Sequence, residues 1–231
     1  LENISYFYKQ KYDMIKVICP CEKNSILNRF IAEMRDAEIQ TDSMRFRRNM
    51  ERIGEIFAYE ISKTFHYSSQ EVVTPLGISE MFLPDDQPVV ATILRAGLPF
   101  HNGFLNYFDK ASNAFVSAFR KHHKDGNFTI QMEYISSPSL DDKTLIITDP
   151  MLATGSSIVL TYKELLRKGK PKHTHLVTII ASTLGIEYIK KHLSRENITI
   201  WAAAIDEELT AQAYIVPGLG DAGDLAYGGK E

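Results

Sequence analysis

Cysteine is almost missing from this chain: Cys19 and Cys21 are the only two among 231 residues. Two thiols cannot build a disulfide framework, and no Cys or His pair follows them at zinc-finger spacing. They read as incidental thiols near the Pro20 turn. An excess of one charge is lacking too. The 26 Lys and Arg against 29 Asp and Glu leave a formal net charge of −3, so the whole molecule attracts neither nucleic acid nor an acidic membrane surface. No apolar run approaches the length of a membrane span, and the first residues lack a signal-peptide pattern, which makes the cytoplasm the expected setting. There is no Pro-rich linker, low-complexity tract or internal repeat. A hydrophobic content of 44% over this length suffices to bury a full core, so one domain spanning 1–231 is expected.

What is present is organised around Thr144–Ser157. Leu145, Ile146 and Ile147 form a short apolar run of the kind that fills a buried strand. Asp149-Pro150 ends it, since proline has no N–H for a sheet ladder. Thr154-Gly-Ser-Ser157 supplies small residues and hydroxyls, and Ile158, Tyr162, Leu165 and Leu166 then fall on one face of a helix. A strand, a small polar loop and a helix N-terminus gather free N–H groups and a favourable dipole, which suits a phosphate. Asp149 beside it could hold hydroxyls of the same ligand, and the two together describe a sugar phosphate. An ordinary capped helix after a buried strand is the plainer reading of the same residues. The phosphate lysine of a Walker loop and the three glycines of a dinucleotide loop are both missing.

Upstream, Asn24 or Ser25 can cap a helix with Ile26, Leu27, Phe30, Ile31 and Met34 on its apolar face. A second helix is expected from Asp42 or Ser43 to about Thr64, facing inward through Phe46, Met50, Ile53, Phe57 and Ile61. Residues 1–66 thus form a helical N-terminal segment, with an extended stretch within Ile4–Ile18 that packs on a neighbour. Arg45, Arg47 and Arg48 read as a solvated helix face, with an anion or effector contact as the alternative. Glu71–Thr74 reads as a strand, Pro75-Leu-Gly77 as a turn, Val89–Leu94 as a buried strand, and Gly97–Phe108 as a helix in which His101 is an ordinary residue. Arg95 lies at the C-terminal end of its strand, where open α/β sheets gather ligands, and its fork suits diphosphate oxygens; a surface ion pair is the other reading. Asn113–Phe119 and Phe128–Ile135 flank a polar Asp125-Gly126 loop, so residues 113–135 are expected to form a projecting hairpin, a flap able to exclude water. His175–Ala181, Ile186–Leu193 and Ile198–Ile205 continue as strand, helix, strand. The alternation argues for a mostly parallel sheet flanked by helices. Five of the 13 glycines fall between Gly218 and Gly229, while Tyr214-Ile-Val-Pro217 is too apolar to float free. The tail should lie against the fold.

Asp149-Pro-Met-Leu-Ala-Thr-Gly-Ser-Ser157, Leu94-Arg-Ala-Gly97 and Tyr214-Ile-Val-Pro-Gly-Leu-Gly-Asp-Ala-Gly-Asp224 together resemble the type I phosphoribosyltransferases, in the single-acid Asp-Pro form of the uracil-using branch. The resemblance implies a type I phosphoribosyltransferase fold and the reaction of uracil with 5-phospho-α-D-ribose 1-diphosphate, giving UMP and diphosphate. It implies phosphoribosyl diphosphate binding by Arg95, Arg120, Asp149, Pro150, Met151, Leu152, Ala153, Thr154, Gly155, Ser156, Ser157 and Asp221. Uracil falls to Ile215, Gly220, Asp221 and Ala222, within a base-binding segment at 206–231. Catalytic roles fall to Asp149, Asp221 and Arg95. Mg2+ is expected to arrive on the diphosphate with no direct protein ligand, Asp221 standing in its second shell. A homodimer or homotetramer and a GTP effector are further expectations, the latter because part of the family is GTP-activated. A backbone C=O at Ile215 and N–H groups near Gly220 and Ala222 match the edge of uracil, whereas cytosine would set an amino group against a donor. The basic Lys121-His-His-Lys124 departs from the acidic residues usual after the flap arginine, as Ser182-Thr-Leu-Gly185 departs from a usual Pro-Glu-Gly turn and Leu225 from a usual basic residue. An enzyme with a different base and a diverged regulator that binds RNA are the alternatives.

Overall fold

The computed structural model describes residues 15–122 and 128–229. The chain enters through β1 (Lys16–Ile18), which pairs parallel to a later strand of the same chain at the sheet edge. For residues 16–18 the expected partner on a neighbour is therefore corrected to an internal one; residues 1–14 lie outside the described set. Helix α1 (Ile26–Arg35) starts at Ser25, whose hydroxyl accepts from the Leu27 N–H while Asn28 reaches back to the Ser25 N–H. Helix α2 (Ser43–Ser62) starts at Asp42, which accepts from the Met44 and Arg45 N–H groups.

Strands β2 (Tyr67–Thr74) and β3 (Gly77–Pro84) form an antiparallel hairpin that joins no other sheet. There follow β4 (Val89–Leu94), α3 (Leu98–Leu105), and the antiparallel pair β5 (Ser112–His122) and β6 (Phe128–Ser136). The middle of the chain gives β7 (Thr144–Thr148), the two-residue β8 (Met151–Leu152) and α4 (Ser156–Leu165). Then come β9 (His173–Ser182), α5 (Thr183–His192), β10 (Ile198–Asp206), the short pair β11 (Glu208–Leu209) and β12 (Ile215–Val216), and α6 (Ala222–Tyr227).

The main sheet runs β1-β10-β9-β7-β4-β5-β6, parallel except for the last pair. Successive side chains alternate between its faces. Val90, Ile146, Val177 and Ile179 meet α1, α2 and α3 through Leu27, Met50, Phe57 and Phe100. Ala91, Leu145, Ile147 and Leu176 meet α4 and α5 through Ile158, Tyr162, Leu165 and Ile189. Helices on both faces are what the alternating sequence implies, and the C-terminal ends of β4, β7, β9 and β10 are left to share one edge.

Several local expectations change. Helix α3 is shorter than Gly97–Phe108, and beyond it the Asn106 amide donates to Glu51 and Glu55 of α2. The arginine cluster is not simply a solvated face. Arg45 pairs with the buried Glu33, Arg48 with Glu51, and Arg47 donates to the Ala226 C=O at 2.6 Å, tying α2 to the end of α6. His101 is buried on α3, with Nε2 2.7 Å from Asn113 Oδ1. Burial raises the Cys19 thiol and, with Cys19 beside it, pushes Cys21 up to about 11, so neither is a ready thiolate. Among the described residues no helix is long and apolar enough to cross a membrane.

Candidate active site

The Asp149–Ser157 segment leaves β7 at the shared edge. Asp149 Oδ1 accepts from the Met151 N–H at 3.3 Å, a turn that its short side chain closes. The Pro150 C=O accepts from the Ile179 and Ile180 N–H groups, and Met151 and Leu152 pair with Ile180 and Ala181. The stretch after the proline is thus sewn to β9 rather than free. The Ala153 C=O accepts from the Ser182 hydroxyl at 2.5 Å, and that same hydroxyl accepts from the Gly185 N–H at 2.8 Å. Gly155 caps α4 at φ +78°, a conformation that costs a residue with a Cβ. A Cβ there would also lie 2.8 Å from the Gly185 C=O oxygen. The Thr154 and Ser156 hydroxyls are 2.7 Å apart, and the Ser156 N–H reaches Thr154 Oγ1 at 3.4 Å. As at any helix start, the first-turn N–H groups of α4 have no intrahelical acceptor, which leaves this cradle open to an anion.

Sequence reasoning missed Ser182 and Gly185. They pin the loop from the next strand and helix, and their signal was present only as a small-residue turn at the end of an apolar run.

Arg95 follows β4 directly, and Gly97 backs onto β7, where a Cβ would lie 3.1 Å from the Thr148 C=O oxygen. Its guanidinium reaches the Gly228 C=O at 3.1 Å and Asp224 Oδ1 at 3.5 Å. The arginine that ends β4 is therefore in contact with the tail. Arg120 lies on β5, opposite Ile130 of β6, so the antiparallel flap is present; its loop, residues 123–127, lies outside the described residues.

The tail is held at several points. Of the apolar stretch Tyr214–Pro217 expected to lie against the fold, Ile215 is buried while Tyr214, Val216 and Pro217 are exposed; Leu219, just beyond it, is buried as well. Asp221 caps α6, its Oδ1 accepting from the Gly223 and Asp224 N–H groups at 2.8 and 3.0 Å. Both bonds fall on the same oxygen. The position corresponding to a Cβ of Gly223 lies 4.0 Å from Ala96 Cβ, which sets the glycine segment beside the Arg95 turn. Gly218, at φ +55°, is gripped on both sides. Its N–H donates to Asp206 Oδ2 at 2.9 Å, and its C=O accepts from Arg35 Nη1 at 3.0 Å. Arg35 and Asp206 are joined by two bonds of 2.8 Å. Burial pushes the Asp206 carboxyl up, but Arg35 and the Gly218 N–H outweigh it and hold the group below its ordinary value. Neither Arg35 nor Asp206 carried a sequence signal.

Three motifs far apart in the chain thus converge at one sheet edge: an anion cradle with a carboxylate, an arginine, and a glycine-rich main chain. Comparison with known proteins gives the family. The family model for uracil phosphoribosyltransferase matches residues 21–229. A uracil phosphoribosyltransferase of Porphyromonas gingivalis is 60% identical over 208 residues, covering 90% of this chain and 96% of that protein. One from Pyrococcus furiosus is 38% identical over 210 residues, covering 90% and 88%. The solved structure of the AQ2163 protein from Aquifex aeolicus superposes with a TM-score of 0.81 at 27% identity, over 92% of this chain and 98% of its own. With the family model spanning most of its length and the geometry in accord, the chain belongs to the uracil phosphoribosyltransferase family.

Proposed function

We propose that the protein transfers the phosphoribosyl group of 5-phospho-α-D-ribose 1-diphosphate to N1 of uracil, giving UMP and diphosphate. The observation that carries the reading is the meeting of the Asp149–Ser157 cradle, Arg95 and the Gly218–Ala222 main chain at the C-terminal edge of the sheet. The bond from C1 of the ribose to the diphosphate oxygen breaks, the leaving diphosphate keeps the electron pair, and N1 bonds to C1 as its proton passes to water. The cradle grips the 5′-phosphate. Asp149 holds the ribose hydroxyls and favours the positive charge that builds on the ring. Arg95 lets go of Gly228 and Asp224 to meet the diphosphate, aided by Arg120 from the flap. The main chain at Ile215, Gly220 and Ala222 reads the edge of uracil. Positioning and electrostatics carry the rate, and no covalent nucleophile is needed.

Mg2+ fits this donor set, since it binds substrate phosphates with one or two carboxylates and keeps its waters; when bound it neutralises charge on the diphosphate. The unused oxygen of Asp221 is the protein group suited to its hydration shell. Incubation with uracil, phosphoribosyl diphosphate and Mg2+, alongside cytosine, orotate and hypoxanthine, tests the whole reading. UMP as the product with uracil supports it, and transfer to another base in preference overturns it. The same assay with and without GTP tests the effector.

We assign the β2–β3 hairpin to a homo-oligomer contact. A lone two-stranded hairpin is marginal in water, and this one exposes Val73, Ile78 and Phe82 and leaves Leu76 fully exposed. Leu76→Asp should shift the sedimenting species to a smaller one; an unchanged assembly refutes the assignment.

A further inference from the structure

We propose that Arg35 and Asp206 are positioning residues for base recognition: their ion pair fixes both polar groups of Gly218 and so sets the Gly218–Ala222 main chain at the distance uracil requires. The inference rests on the reading that this segment binds the base, and it assigns a role to two residues that touch no substrate.

Recognition by main-chain groups is only as accurate as the placement of the backbone, because no flexible side chain can take up an error. A productive site tolerates displacements of roughly 0.5 Å. The segment itself has little to hold it. Gly218, Gly220 and Gly223 bring no side chains, and Gly218 and Gly220 sit at φ +55° and +88°. The hold comes from outside. Arg35 is the last residue of α1 and Asp206 the last of β10, so each is anchored in a rigid element. The fork of Arg35 places two nitrogens on the two Asp206 oxygens, and one of those nitrogens also donates to the Gly218 C=O. Asp206 Oδ2 in turn accepts from the Gly218 N–H. The result is a closed ring of hydrogen bonds around one residue, Gly218. The Gln40 amide lies 2.7 Å from the Leu219 C=O oxygen and donates to it when its nitrogen is assigned to that side.

The carboxylate is 8% exposed and the guanidinium 23%, so removing one partner strands the other where water cannot fully replace it. The backbone would then move to find a new acceptor, and Gly220 is only two residues on. A conventional surface ion pair would not have this reach. Gly218 could not be rescued by a larger residue either, because a Cβ would lie 2.1 Å from the Ile215 C=O oxygen, which is itself in the proposed base site.

The test is steady-state kinetics of UMP formation, with uracil and phosphoribosyl diphosphate varied separately, on the full chain. Arg35→Lys keeps the charge but loses the fork, and Asp206→Asn keeps the shape but loses the charge. Both should raise KM for uracil by about tenfold or more, the order expected when a main-chain contact shifts by a fraction of an ångström, with a much smaller rise in KM for phosphoribosyl diphosphate, which the segment meets only through Asp221. Arg35→Lys should keep most of the melting temperature, so that the kinetic loss cannot be put down to unfolding if Asp206→Asn folds poorly. Gly220→Ala is the companion variant, since it alters the segment itself. If Gly220→Ala raises KM for uracil and the Arg35 and Asp206 variants do not, the positioning role is refuted while the base segment stands. If Gly220→Ala leaves KM for uracil unchanged, the base segment is misassigned and the positioning role falls with it. Parallel increases in both KM values for Arg35→Lys would reduce the pair to a general prop of the fold and likewise overturn the proposal.

Discussion

Gly185→Ala isolates the contact between α5 and the phosphate cradle. A Cβ on residue 185 would stand 2.4 Å from the Ala153 C=O oxygen and 2.9 Å from that of Leu152. Ordinary contact begins at 3.4 Å, so something must move by about 1 Å, and both obstructing atoms are backbone. The cradle is also held at Ala153 by the Ser182 hydroxyl, and Gly155 backs onto the Gly185 C=O. The displacement therefore passes into Ala153–Gly155 rather than into solvent. Overpacking costs about 1–3 kcal/mol, while Ala in place of Gly in a helix returns up to about 1 kcal/mol. The net change should lower the melting temperature by no more than several degrees. Catalysis should suffer far more, because a misplacement of about 1 Å in a binding cradle costs on the order of 100-fold. The measurement is kcat/KM for phosphoribosyl diphosphate, paired with thermal unfolding monitored by circular dichroism. Near wild-type kcat/KM in a folded Gly185→Ala variant would refute the claim that this glycine pair sets the cradle.

Asp149→Asn should cut kcat by roughly 100-fold, the usual scale for losing one electrostatic contact to a developing charge, with a smaller change in KM for uracil; normal turnover removes Asp149 from its assigned role. A pH titration of stability addresses Glu33. Its bonds from Arg45 and Asn49 pull its carboxyl from an ordinary 4.5 down to about 2. The folded value is the lower one, so the stabilisation is present above about pH 4.5 and is lost as the pH falls toward about 2. In Glu33→Gln, the acid limb of a denaturant-unfolding series should flatten over that window, and an unchanged limb argues against the ion pair.

The Asp149–Ser157 loop was legible because the strand, turn and helix that frame it are local, whereas Ser182 and Gly185, which pin it, come from the next strand and helix. An apolar run, a proline that ends it, small residues and a 3.6-residue period lie within about two dozen consecutive positions, and each acts on its own stretch of backbone. Helix α6 went unanticipated, but the main strands and the helices α1 to α5 were legible for the same reason, as were the caps at Ser25 and Asp42. Strand β3 was not, since both its faces are exposed and no alternation marks it. The role of Arg47 was hidden by the 179 positions between it and Ala226.

What the sequence by itself determined is therefore a set of parts: most of the segments that are strands or helices, and the loop and the glycine-rich stretch that are proposed to hold an anion and a base. What the tertiary structure decided is their alignment. Arg35 meets Asp206 across 171 positions, Ser182 meets Ala153 across 29, and Arg95 meets the tail across 133. None of these pairs shares a local period or motif. Their partners are chosen by the order of strands in the sheet, which brings the ends of β4, β7, β9 and β10 to one edge.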